Sequence, residues 1–263
     1  VNALRPKALF ISHGAPTLAL DEIPAHQFLV ELGQRFPKPR AVIVVSPHWG
    51  APIFAIKQDE RYRAWHDFGG FPDELYQIQY APPGNAALAA RIAGHLQEAQ
   101  IATRLVSDAR LDHGVWVPLM LMYPDADVPV INIACLGRDP QVHYELGRAL
   151  GEAMDDDVLI IGSGSAVHNL HELAAPGTPP ASWATRFDDW LRERIEAGDH
   201  QALLDYRARA PDAARAHPTE EHLMPLYVAL GAAGAGGQAL HRSFSYGNLS
   251  MACYGFDSTP RLA

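Results

Sequence analysis

The stretch Ala41-Val42-Ile43-Val44-Val45-Ser46-Pro47-His48-Trp49-Gly50 carries the clearest statement of fold in the chain. Its first five residues are all apolar and mostly β-branched, without the alternation of a half-exposed strand. Such a run reads as a strand buried on both faces, the habit of parallel sheets covered by helices. The run breaks at Ser46-Pro47-His48, and the break delivers a histidine. Residues 8–11 repeat the pattern, a short apolar run broken at Ser12-His13-Gly14. Residues 128–134, apolar but for Asn132, and 158–161 are further such runs, the second ending in Gly162-Ser163-Gly164-Ser165. Residues 76–80 alternate more and read as a strand nearer an edge.

Helical patterns lie between these runs. Residues 86–98 place apolar side chains at helical spacing after Asn85, an N-cap residue type. Residues 140–154 follow Asp139, again cap-like before a proline. Residues 182–197 set Trp183, Phe187, Trp190 and Leu191 on one stripe. Residues 218–230 read as a helix, and the aromatic, alternating residues 242–256 as a closing pair of strands. Strands alternating with helices imply an α/β fold: a three-layer α/β/α sandwich around a mostly parallel or mixed sheet. The Pro- and Gly-rich stretches 176–180 and 231–237 read as loops within it. Residues 1–263 are therefore expected to form a single domain.

Composition narrows the function. The 263 residues are 48% hydrophobic and 19% charged, enough for a sizeable core, and the net charge of -9 speaks against a nucleic-acid footprint. Cys135 and Cys253 sit in apolar stretches and read as buried free thiols. Residues 1–7 lack the pattern of a signal peptide, and no apolar run approaches the roughly 18 residues of a membrane span. A cytoplasmic protein with no membrane partner is expected.

In open α/β sheets, sites gather beyond the carboxyl ends of strands. His13 and His48 follow two buried strands, His168 comes soon after the 158–161 run, and His222 falls on the 218–230 helix pattern. Imidazole ligates Fe, Zn and Cu, and catalytic sites commonly take three protein ligands. There are 13 histidines, and any one alone reads first as an ordinary surface or core residue. His113, in Leu111-Asp112-His113-Gly114-Val115-Trp116, is either a structural histidine bonded to Asp112 or a hydrogen-bond donor in a pocket walled by Trp49 and Trp116. Residues 162–166 lack the G-x-S-x-G elbow and the third glycine of G-x-G-x-x-G, and the chain has no P-loop, H-E-x-x-H or C-x-x-C.

Five motifs occur in order: Ser12-His13-Gly14-Ala15-Pro16, Ser46-Pro47-His48-Trp49, Leu111-Asp112-His113-Gly114-Val115-Trp116, Gly162-Ser163-Gly164-Ser165-Ala166-Val167-His168-Asn169 and His217-Pro218-Thr219-Glu220-Glu221-His222. Together they resemble the class III extradiol ring-cleavage dioxygenases, on the 4,5-DOPA extradiol dioxygenase-like branch. They are more distantly similar to the catalytic subunit of protocatechuate 4,5-dioxygenase. The resemblance implies one Fe(II) or Zn(II) per chain, held by His13, His48 and His222. It implies His168 as catalytic base or fourth ligand, and His113 as a substrate-side group assisting proton transfer. The implied substrates are a small aromatic diol, a DOPA-like catechol among them, and O2. Two other readings stay open: a zinc-dependent hydrolase-like enzyme on the same site, and a non-catalytic binding protein of this fold. The substrate, the regiochemistry of cleavage and the oligomeric state are not legible.

Overall fold

The computed structural model describes residues 5–257. Eight strands form one sheet: β1 (Ala8–Ser12), β2 (Ala41–Gly50), β3 (Phe54–Lys57), β4 (Thr103–Val106), β5 (Val130–Cys135), β6 (Val158–Gly164), β7 (Gly237–His241) and β8 (Cys253–Phe256). Their order is β4-β3-β5-β2-β6-β1-β8-β7. The central strands β5, β2, β6 and β1 are parallel. β3 joins β5, and β8 joins β1, in antiparallel sense. The sheet is mixed at its margins and parallel at its centre.

The central strands send alternate residues to opposite faces, as the period of a strand dictates. Ala8, Phe10, Ile43, Val45 and Ile160 enter one core, while Leu9, Ile11, Val42, Val44 and Ile161 enter the other. Helices α1 (Pro24–Arg35) and α3 (His113–Met122) cover the second face. On the first lie α2 (Ala86–Glu98), α4 (Pro140–Ala153), α5 (Ser182–Ala197) and α6 (Met224–Ala233). This is the α/β/α sandwich read from the sequence. Helix α6 is buried along its whole length. It lies against β6 where that strand has no side chains: a Cβ on Gly162 would meet the Pro225 carbonyl, and one on Gly164 the His222 carbonyl. That close approach seats the turn before α6 on the carboxyl end of the sheet.

The expected caps are present. The Asn85 side chain accepts from the Leu88 N–H, and the Asp139 side chain from the Gln141 and Val142 N–H groups. Other expectations fail. Residues 76–80 are not a strand; Asp73–Gln77 is a short helix whose first-turn acids suit its N-terminus. The helix expected over 218–230 starts only at Met224, with Pro225 in its first turn, and runs through Gly231 to a left-handed Gly234. Gly231 is therefore helical and Gly237 opens β7, so the loop expected at 231–237 shrinks to its middle. Of residues 242–256, Phe244–Ser245 and Leu249–Ser250 pair as a small hairpin outside the main sheet, and only β8 enters it.

Candidate metal centre

Each clustered histidine is placed by a main-chain device. The His13 N–H donates to the Gly164 carbonyl at 3.0 Å, which ties the end of β1 to the end of β6. His48 does not follow its strand, as the sequence suggested, but lies inside it. β2 continues to Gly50, and its register with β5 shifts between Ser46 and Gly50. Pro47 has no N–H to give the ladder, and an irregularity of this kind re-aims the side chains it carries. His113 opens α3, with its backbone N–H on Asp67 Oδ1 at 2.9 Å. The His168 N–H is held by the Ala216 carbonyl at 2.9 Å. His222, expected on a helix, stands in the turn before α6, and its carbonyl accepts from the Ser165 N–H at 2.8 Å.

These devices bring sequence-distant rings to one point. His48 Nε2 lies 3.1 Å from His13 Nε2 and 3.3 Å from His222 Nε2. Ligand atoms of His13, His48 and His113 lie within 4.8 Å of one another, as do those of His168, Glu221 and His222. Two nitrogens bound at about 2.1 Å to one ion, with roughly 90–110° between the bonds, stand about 3.0–3.4 Å apart. Both Nε2 spacings from His48 fall in that range, as neighbouring ligands of one divalent ion would.

The outer nitrogens show how two of the rings are oriented. In helix α3 the residue that would donate to the Gly114 carbonyl is Pro118, which has no N–H. Ser163 Oγ makes that missing bond. With its proton committed there, Ser163 Oγ accepts from His13 Nδ1, 3.0 Å away. The Nδ1–H tautomer leaves the Nε2 lone pair facing the cluster. Glu221 Oε1 likewise takes His222 Nδ1 at 3.2 Å. Asp67 holds His113 Nδ1 at 3.1 Å through both carboxylate oxygens, and its Oδ2 is 3.8 Å from His48 Nδ1.

Electrostatics agree with this arrangement. Burial, and then the neighbouring histidines, hold His13 and His48 far below the usual imidazole range. Burial also lowers His222 against the pull of Glu221, and takes His168 down to about 3. The hydrogen bond from His222 carries Glu221 down to about 2 in spite of burial. The site therefore gathers buried imidazoles whose charged forms are disfavoured, those of His13 and His222 with Nε2 lone pairs turned to the cluster, beside anionic carboxylates, which is what a cation requires.

Among the described residues, neither ring nitrogen of His168 has a hydrogen-bond partner. The ring stacks on His222, centroids 3.6 Å apart and planes 9° apart. A cavity of about 420 Å³ opens over the cluster, with His48, His113, His168 and His222 in its lining. Its apolar wall includes Phe68, Phe71, Leu170, Leu173 and Leu249. Trp49 and Trp116, expected there, stand elsewhere. Trp116 is fully buried and donates its indole N–H to the Trp65 carbonyl at 3.1 Å. The Trp49 ring lies under the Lys57 ammonium, 4.3 Å from its centroid. Asp67, Ser163, Phe68 and Phe71 went unread in the sequence.

Comparison with known proteins points the same way. Residues 7–257 match the family described as the catalytic LigB subunit of aromatic ring-opening dioxygenase. A protein of Beta vulgaris named 4,5-DOPA dioxygenase extradiol is 40% identical, over 96% of this chain and 97% of its own. One of the same name from Escherichia coli K12 is 34% identical over 88% and 87%. A crystal structure of an uncharacterized Escherichia coli K12 protein superposes with a TM-score of 0.78 at 29% identity, covering 96% of this chain and all of that one. No helix among the described residues is long and apolar enough to cross a membrane. Fold, histidine cluster and relatives converge: the chain belongs to the class III extradiol dioxygenases, the family of the catalytic LigB subunit, on their 4,5-DOPA extradiol dioxygenase-like branch, and is an oxygenase.

Proposed function

We propose that residues 1–263 act as one catalytic domain that opens the ring of a catechol with O2 at a single divalent metal held by His13, His48 and His222. The observation that carries this reading is the meeting of three Nε2 atoms, at 3.1 and 3.3 Å, under a cavity of about 420 Å³. Fe(II) is the metal of choice, because zinc has no redox chemistry. When bound, it supplies the charge and the electrons that let an electron-rich ring react with O2.

The protein's own groups do the rest. His168, with no ring hydrogen bond to give up, takes the second hydroxyl proton of the catechol. Burial keeps it neutral, so its ring carries a free lone pair at neutral pH. His113, with Nδ1 on Asp67, keeps Nε2 for the substrate side, where it hydrogen-bonds an oxygen or returns a proton. Phe68 and Phe71 flank the ring and exclude water.

The test is oxygen uptake after anaerobic reconstitution with Fe(II), against a panel of catechols that includes DOPA, with zinc-loaded protein as control. Uptake with a yellow product in the iron form alone is the expected outcome. In the same assay His168→Ala is expected to keep its metal and lose turnover; equal loss of both would make His168 a ligand. An all-imidazole donor set also suits zinc, so hydrolysis by the zinc form without O2 is the competing outcome.

A further inference from the structure

The lining of the cavity says something about which catechol enters. The volume of about 420 Å³ is that of a site for a molecule larger than one ring. Beyond the histidines, the large side chains of the wall are Phe68, Phe71, Leu170, Leu173, Tyr246 and Leu249, Ser165 adds a hydroxyl already given to the Val167 carbonyl, and among the described residues no lysine, arginine or acid lines it. Leu170 and Leu173 are 56% and 46% exposed, so two leucines stand at the rim where polar side chains are the norm. Arg215, on the same side of the molecule, is committed to Glu172 through bonds of 2.8 and 2.5 Å. Tyr246 also lines an adjoining cavity of about 360 Å³, and the charged residues of that cavity, Asp21 and Glu22, are both acids. From the histidine cavity to its neighbour, the lining passes from hydrocarbon through Tyr246 to acids.

We infer that this site selects catechols with an uncharged, apolar ring substituent, such as an alkyl chain, over catechols bearing a carboxylate. The inference rests on the proposed reading of the site as a catechol site. An anionic substituent would lose water without gaining a cation. An alkyl substituent gains from every methylene it buries, about fourfold in affinity each. Leu170 and Leu173 are the positions that set the preference.

The experiment is calorimetric titration of zinc-loaded protein, without O2, with 4-methyl-, 4-ethyl- and 4-propylcatechol, 3,4-dihydroxybenzoate and DOPA, in parallel with oxygen uptake by the iron form. Affinity is expected to rise about fourfold per methylene. Both carboxylates are expected to bind at least about tenfold more weakly than 4-propylcatechol. Leu170→Arg, at an exposed position, is expected to narrow that gap by tightening the carboxylates. Equal or tighter binding of the carboxylates by the unaltered protein overturns the inference, as does failure of any catechol to bind. Binding in the expected order without oxygen uptake leaves the inference standing and counts against the proposed reaction instead.

Discussion

Replacing Ser163 by alanine probes the link between a helix proline and the metal centre. Ser163 is fully buried, and its hydroxyl serves two groups at once: it donates to the Gly114 carbonyl and accepts from His13 Nδ1 at 3.0 Å. Alanine leaves both without a partner. A buried polar group so stranded costs about 1–3 kcal/mol, so the pair costs about 2–6 kcal/mol of folding stability. The tautomer of His13 is also released, and loss of an outer partner of this kind lowers metal affinity about 10–100-fold. Urea unfolding of the metal-free protein reads the first effect, and competition with a chelator of known affinity reads the second. Ser163→Thr restores the hydroxyl but adds a methyl group to a packed site. It is expected to recover metal affinity more fully than stability. Metal affinity within about threefold of the unaltered protein in Ser163→Ala would refute the reasoning, because the hydroxyl would then not be setting the ring.

Asp67→Asn removes the charge beside His113 Nδ1 and should lower turnover by about 100-fold while metal content, measured by atomic absorption, stays unchanged; parallel loss of metal would place Asp67 in the support of His48 instead. Gly164→Ala drives a Cβ into the His222 carbonyl, and is expected to cost about 1–3 kcal/mol in chemical unfolding and to weaken metal binding as His222 moves. His217 is buried, with Nε2 on the Ala166 carbonyl at 2.9 Å and Nδ1 unpartnered, and burial lowers it to about 4. Its unfolded form therefore takes up a proton first as pH falls. The stability it contributes is complete above about pH 6.5 and is lost toward pH 4, by about 3 kcal/mol in all. Unfolding free energies of the metal-free protein at pH 7 and 4.5 should fall less for His217→Gln than for the unaltered chain, and equal slopes would contradict the assignment.

The parts of this molecule written in local pattern were readable. The central strands announce themselves because burial on both faces leaves their first residues apolar, Asn132 apart, and Asn85 and Asp139 mark helix starts by a bond to their own next turn. Strands β3 and β4 are four residues each at the sheet's margin, too short for a period to show. Residues 76–80 look alternating, yet Pro72 and the acids after it start a helix turn just upstream. In the site, His13 and His48 were visible because each comes at the end of a buried run, while His222 was found through its motif and misplaced onto a helix. Asp67 pairs with a histidine 46 positions away, and the role of Ser163 depends on a proline in another element. Neither leaves a local trace. The tryptophans misled because an aromatic beside a candidate ligand looks like a pocket wall, whereas Trp116 faces the core and Trp49 faces Lys57.

Under the proposed function, both atoms of O2 enter a catechol ring at the metal held by His13, His48 and His222. The most direct measurement is mass spectrometry of the product formed by iron-loaded protein under isotopically labelled O2, trapped by rapid reduction so that its carbonyl oxygen does not exchange with water. Two labelled oxygens in one ring-opened product, and none from a His48→Ala variant that no longer binds iron, is the predicted result. A product that carries one labelled oxygen or none, or product formed equally well by the His48→Ala variant, would rule out extradiol cleavage at this metal centre.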